Sequence, residues 1–141
     1  MPTETTSKRE KLKVILDSNA LFVPLQFKID IFEELRTLLN RNFEPVLLQS
    51  VKKELEKIAA KGSLKNRKKA VYALKLAEKC TIVEFDGEGG GSPDDVIVKV
   101  ASEWKCPVFT NDRTLRKRLR DINVPVIYVR QKSRLEIDGR V

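Results

Sequence analysis

Short apolar runs at 14–16, 45–48, 81–85, 107–109 and 124–129 are separated by stretches whose apolar residues recur every three or four positions. Runs of that length, rich in β-branched and aromatic side chains, suit buried strands, and the period near 3.6 between them suits helices. A parallel neighbour strand cannot be reached by a tight turn, so strand and helix in alternation imply parallel pairing through helical crossovers. The expected fold class is therefore α/β: a three-layer α/β/α sandwich around a central, mainly parallel five-stranded sheet.

The punctuation agrees with that division. Asp30 with Glu33 is set to cap a helix carrying Ile31, Leu35, Leu38 and Leu39, which Asn40-Arg41-Asn42 ends. Ser50 is the expected cap of a helix whose apolar face is Val51, Leu55, Ile58 and Ala59. Lys61-Gly62-Ser63 breaks the chain before a basic helix over about 64–79, with Val71, Leu74 and Ala77 expected inside. Ser92 and Pro93 mark the start of a helix that buries Ile97, Val100, Ala101 and Trp104. Asp112 opens another, carrying Leu115 and Leu119.

A length of 141 residues suits one domain that buries about 70% of its unfolded surface. Residues 1–12 read as a flexible lead-in, 13–130 as the folded domain, and 131–141 as a polar tail. The segment Asp86-Gly87-Glu88-Gly89-Gly90-Gly91 is too rich in glycine for a regular element and reads as a flexible loop. The start of the chain is polar and mixed in charge, unlike a signal peptide or membrane span. Cys80 and Cys106 lack metal-site spacing and suit buried free thiols, which fits a cytoplasmic protein with no membrane partner.

Histidine is absent, which removes the Ser-His-Asp and Cys-His nucleophiles, imidazole acid–base chemistry and imidazole metal ligands. Carboxylates or lysines must carry any catalysis. The formal charge of +8 favours a polyanionic partner, nucleic acid before a membrane surface.

Acids stand where strands stop or the next helix begins: Asp17, Glu54, Asp94 with Asp95, and Asp112. Taken singly, each has an ordinary explanation as a turn, a helix cap or a first-turn charge on the helix dipole. Taken together, all fall on the carboxyl edge of the expected sheet, where α/β proteins bind ligands. Carboxylates gathered there repel one another unless a cation neutralises them, which implies Mg²⁺ or Mn²⁺ held by oxygen ligands. Two basic clusters complement them: Arg67, Lys68 and Lys69, and Arg113, Arg116, Lys117 and Arg118, the second beginning beside Asp112. Such runs are commonly solvated helix faces, but next to metal-binding acids they suit phosphate binding.

Leu16-Asp17-Ser18-Asn19, the 50–57 segment around Glu54, Asp94-Asp95-Val96-Ile97-Val98 and the 109–119 segment around Asp112 resemble the motifs of PIN domains. The likeness extends in order over 14–128. The doubled aspartate and the 119–129 segment are most similar to the branch that processes small-subunit ribosomal RNA, while VapC toxins share the acidic pattern. The resemblance implies an endoribonuclease that cleaves single-stranded RNA with Mg²⁺ or Mn²⁺. Carried over by position, Asp17, Glu54, Asp94 and Asp112 would be the catalytic, metal-binding acids. Asp95 would be a neighbouring ligand or substitute, and Ser18, Asn19, Thr110 and Asn111 would orient ligands and water. Partners would be precursor ribosomal RNA, a ribosome-assembly or antitoxin-like protein, and a second copy of the chain through Leu25, Phe27 and Phe43.

Three alternatives stand beside this reading: a VapC-type toxin, a catalytically silent RNA-binding or ribosome-assembly module, and a haloacid-dehalogenase-type phosphatase. The last needs an acid two residues after its nucleophile, where this chain has Asn19.

Overall fold

A computed structural model describes residues 11–85 and 91–141. Most of the expected lead-in, and the glycine-rich segment up to Gly90, lie outside the described residues. Strand β1 (Leu12–Leu16) leads through a 3₁₀ turn (Ser18–Phe22) into helices α1 (Val23–Phe27) and α2 (Ile31–Leu39). Next come β2 (Phe43–Leu48), α3 (Gln49–Lys61), α4 (Leu64–Ala77) and β3 (Thr81–Val83). The chain continues through α5 (Pro93–Trp104), β4 (Val108–Phe109), α6 (Arg113–Asp121), β5 (Val126–Arg130) and β6 (Arg134–Asp138).

The strand order is β3-β2-β1-β4-β5-β6, with all pairs parallel except β5 with β6. From β1 the chain runs outward to β2 and β3, then returns to place β4 on the other side of β1. Right-handed crossovers in opposite directions lay helices on opposite faces of the sheet, giving the three layers. The reversal between β1 and β4, which pair as Ile15 with Val108 and Leu16 with Phe109, opens a crevice at their carboxyl ends. Strand residues Val14, Ile15, Leu16, Val46, Leu47, Phe109, Val126 and Ile127 have no exposed surface, and Ile31, Leu35, Leu55, Ile97, Leu115 and Leu119 close over them from the helices.

The sheet has six strands rather than the expected five. Within the expected polar tail, Arg134–Asp138 alternates polar and apolar residues, and Leu135 is buried. The hairpin turn before it holds Gln131 and Lys132 at φ 54 and 59, left-handed values usually left to glycine or asparagine. Asp138 pairs with Arg116 and Arg120, and Arg116 also stacks on Tyr128 at 3.8 Å, so the strand is clasped from α6.

Two local expectations change. Helix α3 begins at Gln49 after Leu48, so Ser50 lies inside its first turn rather than at the cap. In α4 the buried residues are Ala70, Ala73 and Ala77, while Val71 is 56% exposed: the helix packs closely on α3, and small side chains allow that approach. Phe27 and Phe43 pack on the core and Leu25 is exposed. Both cysteines are free, with burial pushing Cys80 up to about 12 and Cys106 up to about 11. Among the described residues no helix is long and apolar enough to cross a membrane.

Candidate active site

Asp17 leaves β1 at the crevice between β1 and β4, and its backbone N–H donates to the Phe109 carbonyl of β4 at 3.0 Å. Its side chain is only 4% exposed, a costly place for a charge. Oδ1 accepts from the Ser18 backbone N–H at 2.8 Å. Oδ2 accepts from Asn19 Nδ2 at 3.0 Å and from the Thr110 hydroxyl at 2.8 Å. Thr110 is fully buried just after β4, and its hydroxyl oxygen also accepts the Asp112 N–H at 3.1 Å. One side chain thereby sets the distance between two of the acids.

Asn19 and Asn111 extend the frame. Asn111 N–H donates to Asn19 Oδ1 at 3.0 Å, and Asn111 Oδ1 accepts the Val129 N–H of β5 at 2.8 Å. Thr110→Val keeps the shape and removes the connecting hydroxyl, leaving Asp17 short of a donor and the Asp112 N–H without its acceptor. We expect metal affinity or turnover to fall about 10–100-fold, as for other groups that orient ligands. Titrating Mn²⁺ against single-turnover cleavage checks this.

Asp112 caps α6: Oδ1 accepts from Thr114 N–H at 2.8 Å and Leu115 N–H at 3.1 Å. Its other oxygen accepts nothing from the described residues. Asp94 lies in the first turn of α5, and Glu54 is exposed on α3, one helical turn after Ser50. Neither accepts a hydrogen bond from a described residue. Ser50 Oγ is buried without a partner among the described residues.

Asp17, Glu54 and Asp94 each feel the charge of other acids of the set. Burial, then the charge of Asp112, raises Asp17 above the ordinary aspartate value against the donors that lower it. Glu54 is raised by desolvation, then by Asp17 and Asp94. Asp94 is raised by desolvation, then by Asp17 and Asp112. A carboxyl whose folded pKa is raised binds its proton more tightly in the folded state. Its charge therefore weakens the fold at neutral pH, and the penalty vanishes as pH falls through the raised value. Without divalent cation, Glu54→Gln should raise the melting temperature by roughly 2 °C at pH 7.5 and by nothing near pH 4. Paired thermal melts across that range test the sign.

Asp95 is differently placed. Its carboxylate accepts the Ser92 N–H at 3.2 Å while Ser92 Oγ accepts the Asp95 N–H, completing a capping box. It also pairs with Arg118 at 3.0 Å. These partners hold Asp95 below the ordinary aspartate value. The expectation that Asp95 ligates a metal thus meets a side chain engaged elsewhere.

The expected RNA-binding cations divide in the same way. Arg116 is taken by Asp138 and Tyr128, Arg118 by Asp95, and Lys117 lies 3.9 Å from Asp121. Arg113 is exposed at the start of α6. Arg67, Lys68 and Lys69 ride on α4, which packs against the 3₁₀ turn following Asp17. The tie between Asn111 and Val129, and the clasp of Arg116 by Tyr128 and Asp138, had no local sequence signal beyond the alternation of Leu135 and Ile137.

The donors suit a hard divalent cation: carboxylate oxygens, no imidazole, and spare lone pairs on Glu54, Asp94 and one oxygen of Asp112. Among the described residues no three acids already converge on one point, so an ion would have to draw the side chains together.

A family model described as a PIN like domain matches residues 14–132. Among curated proteins, the chain is 34% identical to Ribonuclease VapC4 of Methanocaldococcus jannaschii, over 92% of this chain and 98% of that one. It is also 34% identical to the rRNA-processing protein fcf1 of Schizosaccharomyces pombe, over 87% of this chain and 62% of that one. Among solved structures, the PIN domain endonuclease Utp24 superimposes with a TM-score of 0.75 at 32% identity, over 92% of both chains. VapBC2 from Rickettsia felis, solved on a DNA fragment, shares the fold with a TM-score of 0.62 at 16% identity, over 84% of this chain and 100% of that one.

Proposed function

Because this chain belongs to the PIN domain family, we propose that it is a metal-dependent endoribonuclease cutting single-stranded RNA, with ribosomal precursor RNA as its substrate. The observation that supports the reading is the gathering of acids at the sheet's switch point, where burial first, and the charges of other acids second, raise Asp17, Glu54 and Asp94. A fold that needed these side chains only as caps would have no reason to gather their charges. The family match leaves the haloacid-dehalogenase alternative without support.

Asp17, Glu54, Asp94 and Asp112 would hold Mg²⁺ or Mn²⁺, which when bound activates water and stabilises charge developing on phosphate oxygens. Asp17 is the anchor, oriented by Ser18, Asn19 and Thr110 before any ligand arrives. Asp112 is held by the helix it caps, so one oxygen serves α6 and the other has no donor among the described residues and would be open to a metal ion. Asn111 keeps the loop after β4 tied to β5 and Asn19. Arg113 and the Arg67–Lys68–Lys69 stretch supply positive charge for the RNA backbone.

The test is cleavage of a single-stranded RNA with Mn²⁺ or Mg²⁺ supplied and then chelated. Cleavage that persists under chelation would defeat the metal reading. RNA binding without cleavage in either metal would favour the silent-module alternative. The VapC relative favours a toxin as the second reading, and growth arrest on expression, relieved by an antitoxin-like protein, would select it over precursor processing.

A further inference from the structure

At the amino ends of the strands, on the edge opposite the acids, a cleft of about 760 Å³ is bordered by Lys11, Lys13, Arg41, Lys79 and Lys105. Among the described residues its only lining carboxylate is Glu44, already engaged by the Thr81 hydroxyl at 2.7 Å and by Lys13 at 4.0 Å. Lys11, Arg41 and Lys105 pair with no carboxylate among the described residues. On α6, by contrast, Arg116 and Arg120 pair with Asp138 and Arg118 pairs with Asp95. Trp104, the only tryptophan of the chain, lines the same cleft, with Lys13 Nζ 5.7 Å from its ring centroid.

A purely structural account would assign these cations to the helix C-termini above them. Helices α2, α4 and α5 end at this edge, and their dipoles offset about 1.5 positive charges in total. Five cations against one carboxylate among the described residues exceed that. Lys105 follows the last residue of α5 in a left-handed backbone at φ 54, which places it at the helix end beside the cleft.

We propose that this cleft is a second nucleic-acid site that grips the backbone of single-stranded RNA and stacks a base on Trp104. Lys13 on β1 and Asp17 just after it are four positions apart, roughly 13 Å along the strand direction, so the cleft lies across the sheet from the acids and would hold a distant part of a long substrate. The choice of RNA as the polyanion rests on the nuclease reading above.

Trp104 reports directly on occupancy, because its emission is the chain's whole tryptophan signal. The full chain, kept in EDTA so that nothing is cleaved, is titrated with a single-stranded RNA of about 30 nucleotides. Trp104 emission should change saturably, and Lys79→Gln/Lys105→Gln should weaken binding about tenfold. The slope of log affinity against log salt should become shallower by about 1.4, the share of two phosphate contacts. Circular dichroism and thermal melts of the variant confirm that it is folded. Unchanged emission on binding, or unchanged affinity and salt slope in the folded variant, would overturn the proposal. Polyglutamate competing as well as RNA would also overturn it, in favour of an acidic protein. Binding needs no divalent cation, so wild-type protein that fills the cleft yet never cuts RNA would sink the nuclease reading and leave this site standing.

Discussion

Asp17→Asn should lower single-turnover cleavage of single-stranded RNA by about 10³-fold or more in saturating Mn²⁺, the scale of losing a principal electrostatic contributor to a transition state. The loss has two parts. The negative charge nearest the switch point disappears, and with it the strongest candidate ligand. The amide also cannot reproduce the carboxylate's hydrogen bonds. Asp17 accepts from the Ser18 N–H on one oxygen and from Asn19 and Thr110 on the other, so either amide orientation points an NH₂ at a donor. At a site this buried, that mismatch is expected to cost about 1–3 kcal/mol, partly offset by relief of charge repulsion. The folded fraction must therefore be checked by circular dichroism before rates are compared. An Asp17→Asn protein that is folded and cleaves within threefold of wild type would remove Asp17 from the site.

The neighbouring aspartates should separate in opposite ways. Asp94→Asn is expected to reduce cleavage about 10²–10³-fold while leaving stability at neutral pH unchanged or slightly raised, because Asp94 is held at a raised pKa by burial and by Asp17 and Asp112. Asp95→Asn should leave cleavage within a few-fold of wild type and lower the melting temperature by a few degrees. It loses the carboxylate half of the capping box and the ion pair with Arg118. Both variants need the same two measurements, cleavage rate and thermal melt. If Asp95→Asn is the one that kills activity while Asp94→Asn only shifts stability, the positions of the two residues in the site are reversed.

The edge that gathers the candidate acids was largely legible because its logic is local: an apolar run ends, an acid follows, and the parallel topology carries all such ends to one side. Asp17 and Asp112 could be placed that way without knowing which strands are neighbours. Choosing between Asp94 and Asp95 needed three-dimensional information, since both fall in the first turn of α5 and only packing shows which one Ser92 and Arg118 occupy. Strand β6 escaped notice because Leu135 and Ile137 are its only apolar residues, and the turn before it has no glycine or asparagine to announce a hairpin. On α4 the expected Leu74 and Ala77 do face inward but Val71 does not: hydrophobicity favours Val71, whereas close helix packing selects Ala70 and Ala73. The fate of Arg116 depends on Asp138 in that unforeseen strand, so one missed element altered the account of the basic surface as well.

The hydroxyl contact from Thr110 to Asp17 joins positions 93 residues apart. During synthesis Asp17 is made early, but its partners arrive only when β4 and the start of α6 have left the ribosome, at roughly 5–20 residues per second. Long-range pairing of β1 with β4 must then close a large loop, which is slow compared with forming the helices between them. A growing or truncated chain that stops short of Thr110 therefore carries its first acid without the frame that aims it, and the candidate site assembles only once β4 and the start of α6 are available.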